Sequence, residues 1–475
     1  MFFLFVMNPL YLKNLITEQL AFTPTNQQAT LISMLADFIF KPIEHKVFII
    51  NGYAGTGKTS VISGLIQALN KTNIKTVLLA PTGRAAKVLS NYSGHSAYSI
   101  HKIIYRQKSA GTEEFNINYN KCKNTIFIID EASMISNTSS EGTKFGSGKL
   151  LDDLIEYVYT GDNCCMILLG DTAQLPPLFQ HSSPALNKEV LQSYGLDVST
   201  FTLTEVLRQT LQSGILHNAT IIRNAINTDD ISPVCIDTHY NDVVRVSGED
   251  LIDYINSSYS NVGQENTIIL SYSNKRATLY NRGIRNQVLM KESELSNGDF
   301  LLITKNNYYW SQQYDNLDFI ANGDIAQIVR VGHHQEMYGF RFADLTLQLI
   351  DYDMEITARV LIDSLYADTA AAQEELNKKI LNAMLEDYDA PVSKQLFWKD
   401  ARQNEYYNAL QVKFAYAITG HKAQGGAWKH VYIDQGYLTE EMITKEYYQW
   451  LYTAVTRASE KIYFVNFSDF FFNKK

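Results

Sequence analysis

The chain has 475 residues, 45% of them hydrophobic and 19% charged, and carries 41 Lys and Arg against 50 Asp and Glu for a formal net charge of −9. That length allows roughly two to four domains, and the composition is that of a globular protein with a sizeable core. The acidic balance excludes attraction to nucleic acid or anionic membrane through overall charge, so any such contact must rest on a local basic channel.

The first residues, MFFLFVM, are apolar but far short of the about 20 needed to span a bilayer, and no basic segment or cleavage site accompanies them. They read either as a hydrophobic flap or as a start upstream of a true one at Met7. A cytoplasmic protein without a membrane segment is expected. Cys122, Cys164, Cys165 and Cys235 show neither metal-ligand spacing nor a disulfide framework. The adjacent Cys164 and Cys165 lie in an apolar run and read as buried thiols in a reducing compartment.

Val47–Ile50 reads as a buried strand running into Gly52-Tyr-Ala-Gly-Thr-Gly-Lys58-Thr59, which fits G-x-x-x-x-G-K-[ST] in full, and Ser60–Leu69 has helical periodicity. Strand, glycine loop and helix are the context that motif needs. Gly52, Gly55 and Gly57 let backbone N–H groups curl round a phosphate, and the helix start, with Ser60, adds its positive dipole end. Lys58 is expected on the β/γ-phosphates and Thr59 on Mg²⁺. A second β-branched run, Thr125–Ile129, ends in Asp130-Glu131, at what would be the ligand edge of a parallel sheet. Asp130 is the candidate Mg²⁺ carboxylate and Glu131 the candidate base for an attacking water. A third run, Met166–Leu169, ends in Gly170-Asp-Thr-Ala-Gln174-Leu-Pro-Pro177, and places Gln174 to sense the γ-phosphate or the water. These three strand ends together read as a nucleoside triphosphatase using Mg²⁺.

Two arginines sit in otherwise apolar helical stretches, Arg208 in LTEVLRQ and Arg457 in LYTAVTRA. A triphosphatase needs positive charge opposite the γ-phosphate, and a second lobe closing on the first would supply it. Near the end of the chain, Thr419-Gly-His-Lys-Ala-Gln-Gly lies between apolar runs at Val412–Ile418 and His430–Ile433 and is too polar for a core.

In this order the motifs resemble those of a superfamily 1 DNA helicase of the B branch, closest to the RecD-like and Dda-type enzymes, over most of the chain. Phe22-Thr-Pro-Thr-Asn-Gln-Gln28 looks like the Q-motif, with Gln28 or Gln27 reading adenine. Gly52–Thr59 looks like motif I, Leu79-Ala-Pro-Thr82-Gly-Arg84-Ala-Ala86 motif Ia, and Ser99-Ile-His101-Lys102 the element after it. Asp130-Glu131 stands as motif II, Gly170–Pro177 as motif III, Arg208 in motif IV, TGHKAQG as motif V and YTAVTRA as motif VI. The resemblance implies that motif V joins a DNA track to the ATP site. Thr419 and His421 would bond phosphates of a single strand, Lys422 would add charge, Gln424 would face the nucleotide, and Thr82, Arg84 and His101 would contact the strand from the first lobe. Lys102 and Arg84 read equally well as loop residues satisfying local backbone.

The fold class expected is α/β: two RecA-like parallel-sheet lobes with a small inserted β-barrel. Residues 1–20 are an N-terminal extension, 21–200 the first lobe, 201–300 with 411–475 the second, and 301–410 the barrel with a helical connection. The alternating stretch within 106–123 reads as a hairpin matching the family's strand-separating pin, or as a plain excursion. Asn137–Gly148 is Ser/Gly-rich, as loops are. Aromatics in Asn306–Trp310 suit either base stacking or a barrel rim, and Phe397 and Trp398 suit partner, DNA or barrel. The expectation is a monomeric ATP-dependent helicase or translocase on single-stranded DNA and duplex junctions, with 5′-to-3′ direction implied by the resemblance alone. The alternatives are an RNA helicase of the same superfamily, or an ATPase switch that closes on a protein partner.

Overall fold

The computed structural model describes residues 8–108, 115–139, 145–206, 213–228, 231–314, 317, 319–367, 369–388 and 393–472. Arg208, expected opposite the γ-phosphate, lies outside them, as do the first seven residues and part of the Ser/Gly-rich stretch.

The β-branched, apolar runs of the first half form strands β1 (Lys46–Gly52), β2 (Lys75–Ala80), β3 (Ala97–Ser99), β4 (Tyr105–Gln107), β5 (Phe115–Ile117), β6 (Thr125–Ile129), β7 (Cys165–Gly170) and β8 (Asp197–Leu203). All but β4 and β5 join one parallel sheet in the order β3-β2-β6-β7-β1-β8. Side chains alternate across it. Phe48, Ile50, Ile126, Ile128, Ile167 and Leu169 pack on one face, and Val47, Ile49, Phe127, Ile129, Met166 and Leu168 on the other. Both faces are therefore covered, as a parallel sheet requires. Within the N-terminal extension, helix Pro9–Glu18 packs on the sheet: Leu12 and Ile16 are fully buried in the first of these faces. Because the strands are parallel, the residues after Gly52, Ala80, Ser99, Ile129, Gly170 and Leu203 all emerge at one edge.

A second parallel sheet has the order β16-β10-β17-β18-β9, from β9 (Val243–Val246), β10 (Thr267–Ser271), β16 (Ala417–Thr419), β17 (Trp428–Asp434) and β18 (Ala458–Val465). Between β10 and β16 the chain builds a closed barrel from β11 (Phe300–Ile303), β12 (Ile325–Met337), β13 (Phe340–Leu349), β14 (Met354–Leu361) and β15 (Leu410–Phe414). Two parallel-sheet lobes and an inserted barrel are thus the architecture. Strand β15 runs past the boundary expected at 410/411, because its ladder to β11, with Leu301 opposite Phe414, closes the barrel. The stretch before it is two helices, Ala370–Glu386 and Lys394–Gln403, and Ile380 and Met384 pack on Phe342 and Leu361. Of the aromatics in Asn306–Trp310, Tyr308 and Trp310 are buried, and the Trp310 indole N–H donates to the Asn408 carbonyl at 3.0 Å.

The barrel is fastened to the second lobe by a buried charge cluster. The Asp299 carboxylate, without solvent exposure, accepts from Arg285 at 2.9 Å, Lys291 at 2.7 Å and the Tyr416 hydroxyl at 2.7 Å. Burial alone would raise its pKa, but these bonds hold it below the usual value. Strands β4 and β5 form a two-stranded antiparallel ladder, with Arg106 opposite Asn116. Phe115 of β5 stacks on Phe145 (4.7 Å between ring centroids) and meets Tyr308 of the barrel at 4.9 Å, so the ladder touches both bodies.

Candidate active site and adjoining channel

At the end of β1 the chain enters the glycine loop. Gly55 and Gly57 both take φ +76°, a left-handed conformation open to glycine at little cost. A Cβ on Gly52 would lie 3.0 Å from the Lys58 side chain, so the lysine stem folds back across the start of the loop. Thr59 is exposed in the first turn of helix Lys58–Lys71, and Ser60 follows it half-buried. Gln28 is buried beneath this loop. Its amide N–H donates to the Thr56 carbonyl at 3.0 Å, and its oxygen accepts from the Thr25 N–H at 3.0 Å within a capping box. Gln27 is engaged likewise by Thr204 and Glu205. Both amides thus bond within the protein, and Gln28 braces the loop from beneath.

Asp130 and Glu131 leave β6 side by side. One Asp130 oxygen accepts from the Glu131 N–H and the other from the Tyr92 hydroxyl, both at 2.8 Å. Glu131 holds φ 51°, ψ 36°, a left-handed backbone that costs energy in a residue other than glycine and that concentrates at functional sites. One of its carboxylate oxygens is buried with no partner. Burial raises its pKa, Arg457 and Lys58 pull it back, and Asp130 and Asp171 add to the rise; the net direction is upward. Gln174, after β7, also presents a buried side-chain oxygen without a partner. Unsatisfied acceptors beside an unpaired lysine stem and a glycine loop suit a phosphate and its cation. Lys58, Thr59 and Asp130 are the groups available to hold them.

The second lobe reaches this cleft through helix Lys445–Val455. The Tyr452 hydroxyl donates to Asp171 at 2.7 Å and accepts from the N–H of Ala54, in the glycine loop, at 3.0 Å. The Thr453 hydroxyl accepts from the Leu175 N–H at 2.8 Å. Arg457 is buried and donates to the carbonyls of Thr453 and Gly426, each at 3.2 Å. The Gln424 amide donates to the Leu175 carbonyl at 2.7 Å. Leu175 is therefore gripped at both its N–H and its carbonyl by the second lobe. Arg223, from helix Gly214–Thr228, lies over the Tyr53 ring at 4.5 Å. Tyr92, Tyr452 and Thr453 were not singled out from the sequence. The last two lie inside YTAVTRA, where only the arginine drew notice, whereas nothing local marks Tyr92.

Beside the cleft, Thr82, Arg84, His101, His421 and Lys422 line one cavity of about 200 Å³, roofed by Asn322–Asp324 and Tyr352 of the barrel. Thr82 caps helix Gly83–Ser93, its hydroxyl accepting from the Ala85 N–H at 3.1 Å. Arg84 stacks its guanidinium on Trp428, 4.0 Å from the ring centroid, and so faces motif V more than open solvent. His101 packs edge-on to Phe145 (4.9 Å) and near Phe319 (6.4 Å). Burial pushes its pKa down to about 4, so it brings no positive charge to the cavity. Lys422 donates to the Asn322 side chain. Thr419 and His421 also line a second cavity of about 590 Å³ with Trp450 and Phe179. Phe179 is 98% exposed at φ 64°. His421 borders both cavities, the first lined by both lobes and the barrel and the second by the two lobes.

Fold and site define a P-loop nucleoside triphosphatase with two facing parallel-sheet lobes. Residues 27–233 match the family model of an AAA domain, and residues 414–465 that of a UvrD-like helicase C-terminal domain. The uncharacterised protein R530 of Acanthamoeba polyphaga mimivirus is 25% identical over 93% of this chain and 99% of its own length. The ATP-dependent DNA helicase dda of Enterobacteria phage T4 is 26% identical over 88% of this chain and 93% of its own. The ATP-dependent RecD2 DNA helicase of Deinococcus radiodurans is 26% identical over 41% of this chain and 23% of its own. A solved Pif1 helicase from Bacteroides aligns over 96% of this chain and 95% of that one at 16% identity and a TM-score of 0.42, too loose a likeness to bear on the site. These likenesses support an ATP-hydrolysing helicase of superfamily 1, of the RecD-like and Dda-type branch. Among the described residues, no helix is long and apolar enough to cross a membrane.

Proposed function

We propose that this protein is a monomeric DNA helicase that moves 5′ to 3′ along single-stranded DNA and separates duplex at junctions, driven by hydrolysis of magnesium ATP. The observation that carries the reading is the hydrogen-bonded run from channel to cleft. Gln424, two residues from Lys422, holds the Leu175 carbonyl; Thr453 holds the Leu175 N–H; Tyr452, next in the chain, holds Ala54 and Asp171. A strand seated on motif V would thus press directly on the groups around the γ-phosphate. A switch that closes on a protein partner has no need of such a run.

In this reading Lys58 and the loop amides hold the β/γ-phosphates, and Thr59 and Asp130 hold the cation, whose charge neutralises the phosphate oxygens. Glu131 takes the proton of the attacking water; its unpartnered oxygen and its pKa, raised by burial, suit a proton acceptor. Gln174 orients the water. Arg457 from the second lobe, with Arg208, stabilises charge on the transferred phosphoryl. Gln28 keeps the loop in shape. Thr82, Thr419, His421 and Lys422 bond strand phosphates, and the β4–β5 ladder stands where the duplex would part.

The test is steady-state ATP hydrolysis with and without single-stranded DNA, then with RNA of the same sequence, followed by unwinding of 5′- and 3′-tailed duplexes. Stimulation by DNA and unwinding of the 5′-tailed substrate are expected. Hydrolysis indifferent to any nucleic acid would instead identify a switch, stimulation by RNA alone an RNA helicase, and unwinding from a 3′ tail the opposite direction.

A further inference from the structure

Helix Gly83–Ser93 begins at the channel and ends at the cleft. At its start Thr82 is the cap, Arg84 lies on Trp428, and the Lys87 ammonium donates to the Ile350 carbonyl of the barrel at 2.5 Å. At its end the Tyr92 carbonyl accepts from the Ser63 hydroxyl at 2.9 Å, which clamps it to the helix that follows the glycine loop. On the same residue, the Tyr92 hydroxyl donates to Asp130 at 2.8 Å. The other Asp130 oxygen already accepts from the Glu131 N–H. The carboxylate is therefore fixed at both oxygens, one by its own backbone and one by a side chain from the channel helix.

We propose that Tyr92 is a positioning residue for Asp130: its hydroxyl sets the carboxylate's rotation for the nucleotide-bound cation and, through one rigid helix, makes that setting respond to a strand in the channel. This rests on the reading of Asp130 as the cation-holding carboxylate. A carboxylate with one free rotation presents its lone pairs to the cation only part of the time. A hydrogen bond from a neutral donor to a charged acceptor is strong enough to remove that freedom. The helix is braced at both ends by contacts to three other parts of the molecule, so a shift at Arg84 or Lys87 arrives at Tyr92 instead of dissipating in a loop.

The experiment titrates magnesium against fluorescent mant-ADP bound to wild type, Tyr92→Phe and Asp130→Asn, with and without oligothymidylate, and needs no turnover. Tyr92→Phe removes one oxygen and keeps the packed ring. Its half-saturating magnesium should rise about three- to tenfold, magnesium-free nucleotide affinity should hold, and the shift that oligothymidylate causes in wild type should vanish. An unchanged or lower magnesium midpoint overturns the proposal. So does an equal loss of magnesium-free affinity, which would put the hydroxyl's effect on the glycine loop. A persistent oligothymidylate shift overturns the link to the channel. If Asp130→Asn leaves the midpoint unmoved, the assignment of Asp130 fails beneath it.

Discussion

Single residues in the channel carry its charge balance. Burial first, then the neighbouring Asp351, raises the Asp324 pKa to about 7, against the pull of the Ala321 N–H, Tyr352 and Lys422. Burial, then Lys413, lowers Lys422 to about 8, with Asp324 opposing. Both titrations run the same way. As pH climbs through 7, Asp324 gains a negative charge, and through 8 Lys422 gives up a positive one. Each step makes the cavity less hospitable to a phosphate. Single-strand affinity should therefore fall between pH 6 and pH 9, by severalfold for each charge lost. Asp324→Asn should abolish the lower step and leave the upper one. Fluorescence anisotropy of a labelled oligonucleotide across that range checks it, and a flat profile in wild type would rule out a role for these two groups. His101 adds nothing to the profile, because with its pKa lowered to about 4 by burial it is already neutral at pH 6.

At the scale of elements, the β4–β5 ladder is too short to stand alone, since two strands are marginal in water. Its anchorage is aromatic: Phe115 against Phe145 and Tyr308, and Tyr308 in turn against Phe319 at 5.3 Å. Phe115→Ala removes the ring that ties the ladder to the barrel, a loss of about 1–3 kcal/mol of packing. Duplex unwinding should drop several-fold while DNA-stimulated hydrolysis changes less than twofold. Equal loss of both would mean that the ladder serves the cleft and not the junction. The elements themselves were legible in the sequence. Continuous apolar runs such as Thr125–Ile129 announce strands buried on both faces, and the alternating stretches after Asp324 announce a barrel wall. The glycine loop was legible because its chemistry is contiguous, from Gly52 to Thr59. What was hidden lies in pairs far apart along the chain. Tyr92 and Asp130, Gln424 and Leu175, and Tyr452 and Asp171 meet only once the sheets have formed. Gln28 shows the same limit from the other side: its motif was visible, but the engagement of its amide by Thr56 and Thr25 was not. The packing of the N-terminal helix was not legible, because Leu12 and Ile16, taken alone, are too few to declare a core-facing stripe.

For the whole molecule, the excess of acid over base means that a nucleic acid strand must be won by the channel against a repulsive surround. Binding should weaken steeply with salt, and each cation that meets a phosphate contributes about 0.7 to the slope of log affinity against log salt. Lys422→Ala should flatten that slope by about 0.7, and an unaltered slope would remove Lys422 from the strand's path. The same molecule carries its barrel in a particular way. The chain enters the barrel on β11 and leaves it on β15, and these two strands are ladder neighbours, Leu301 beside Phe414. Meanwhile β10 and β16, which flank the insert in sequence, pair directly in the host sheet, Ser271 beside Thr419. Entrance and exit thus share one doorway. A body with its two ends side by side can be lengthened, exchanged for another of different size, or excised and bridged by a short turn, without re-threading a single host strand. Over long divergence, the barrel and its pair of helices are therefore where this architecture is free to change its reach while the motor beneath keeps its form.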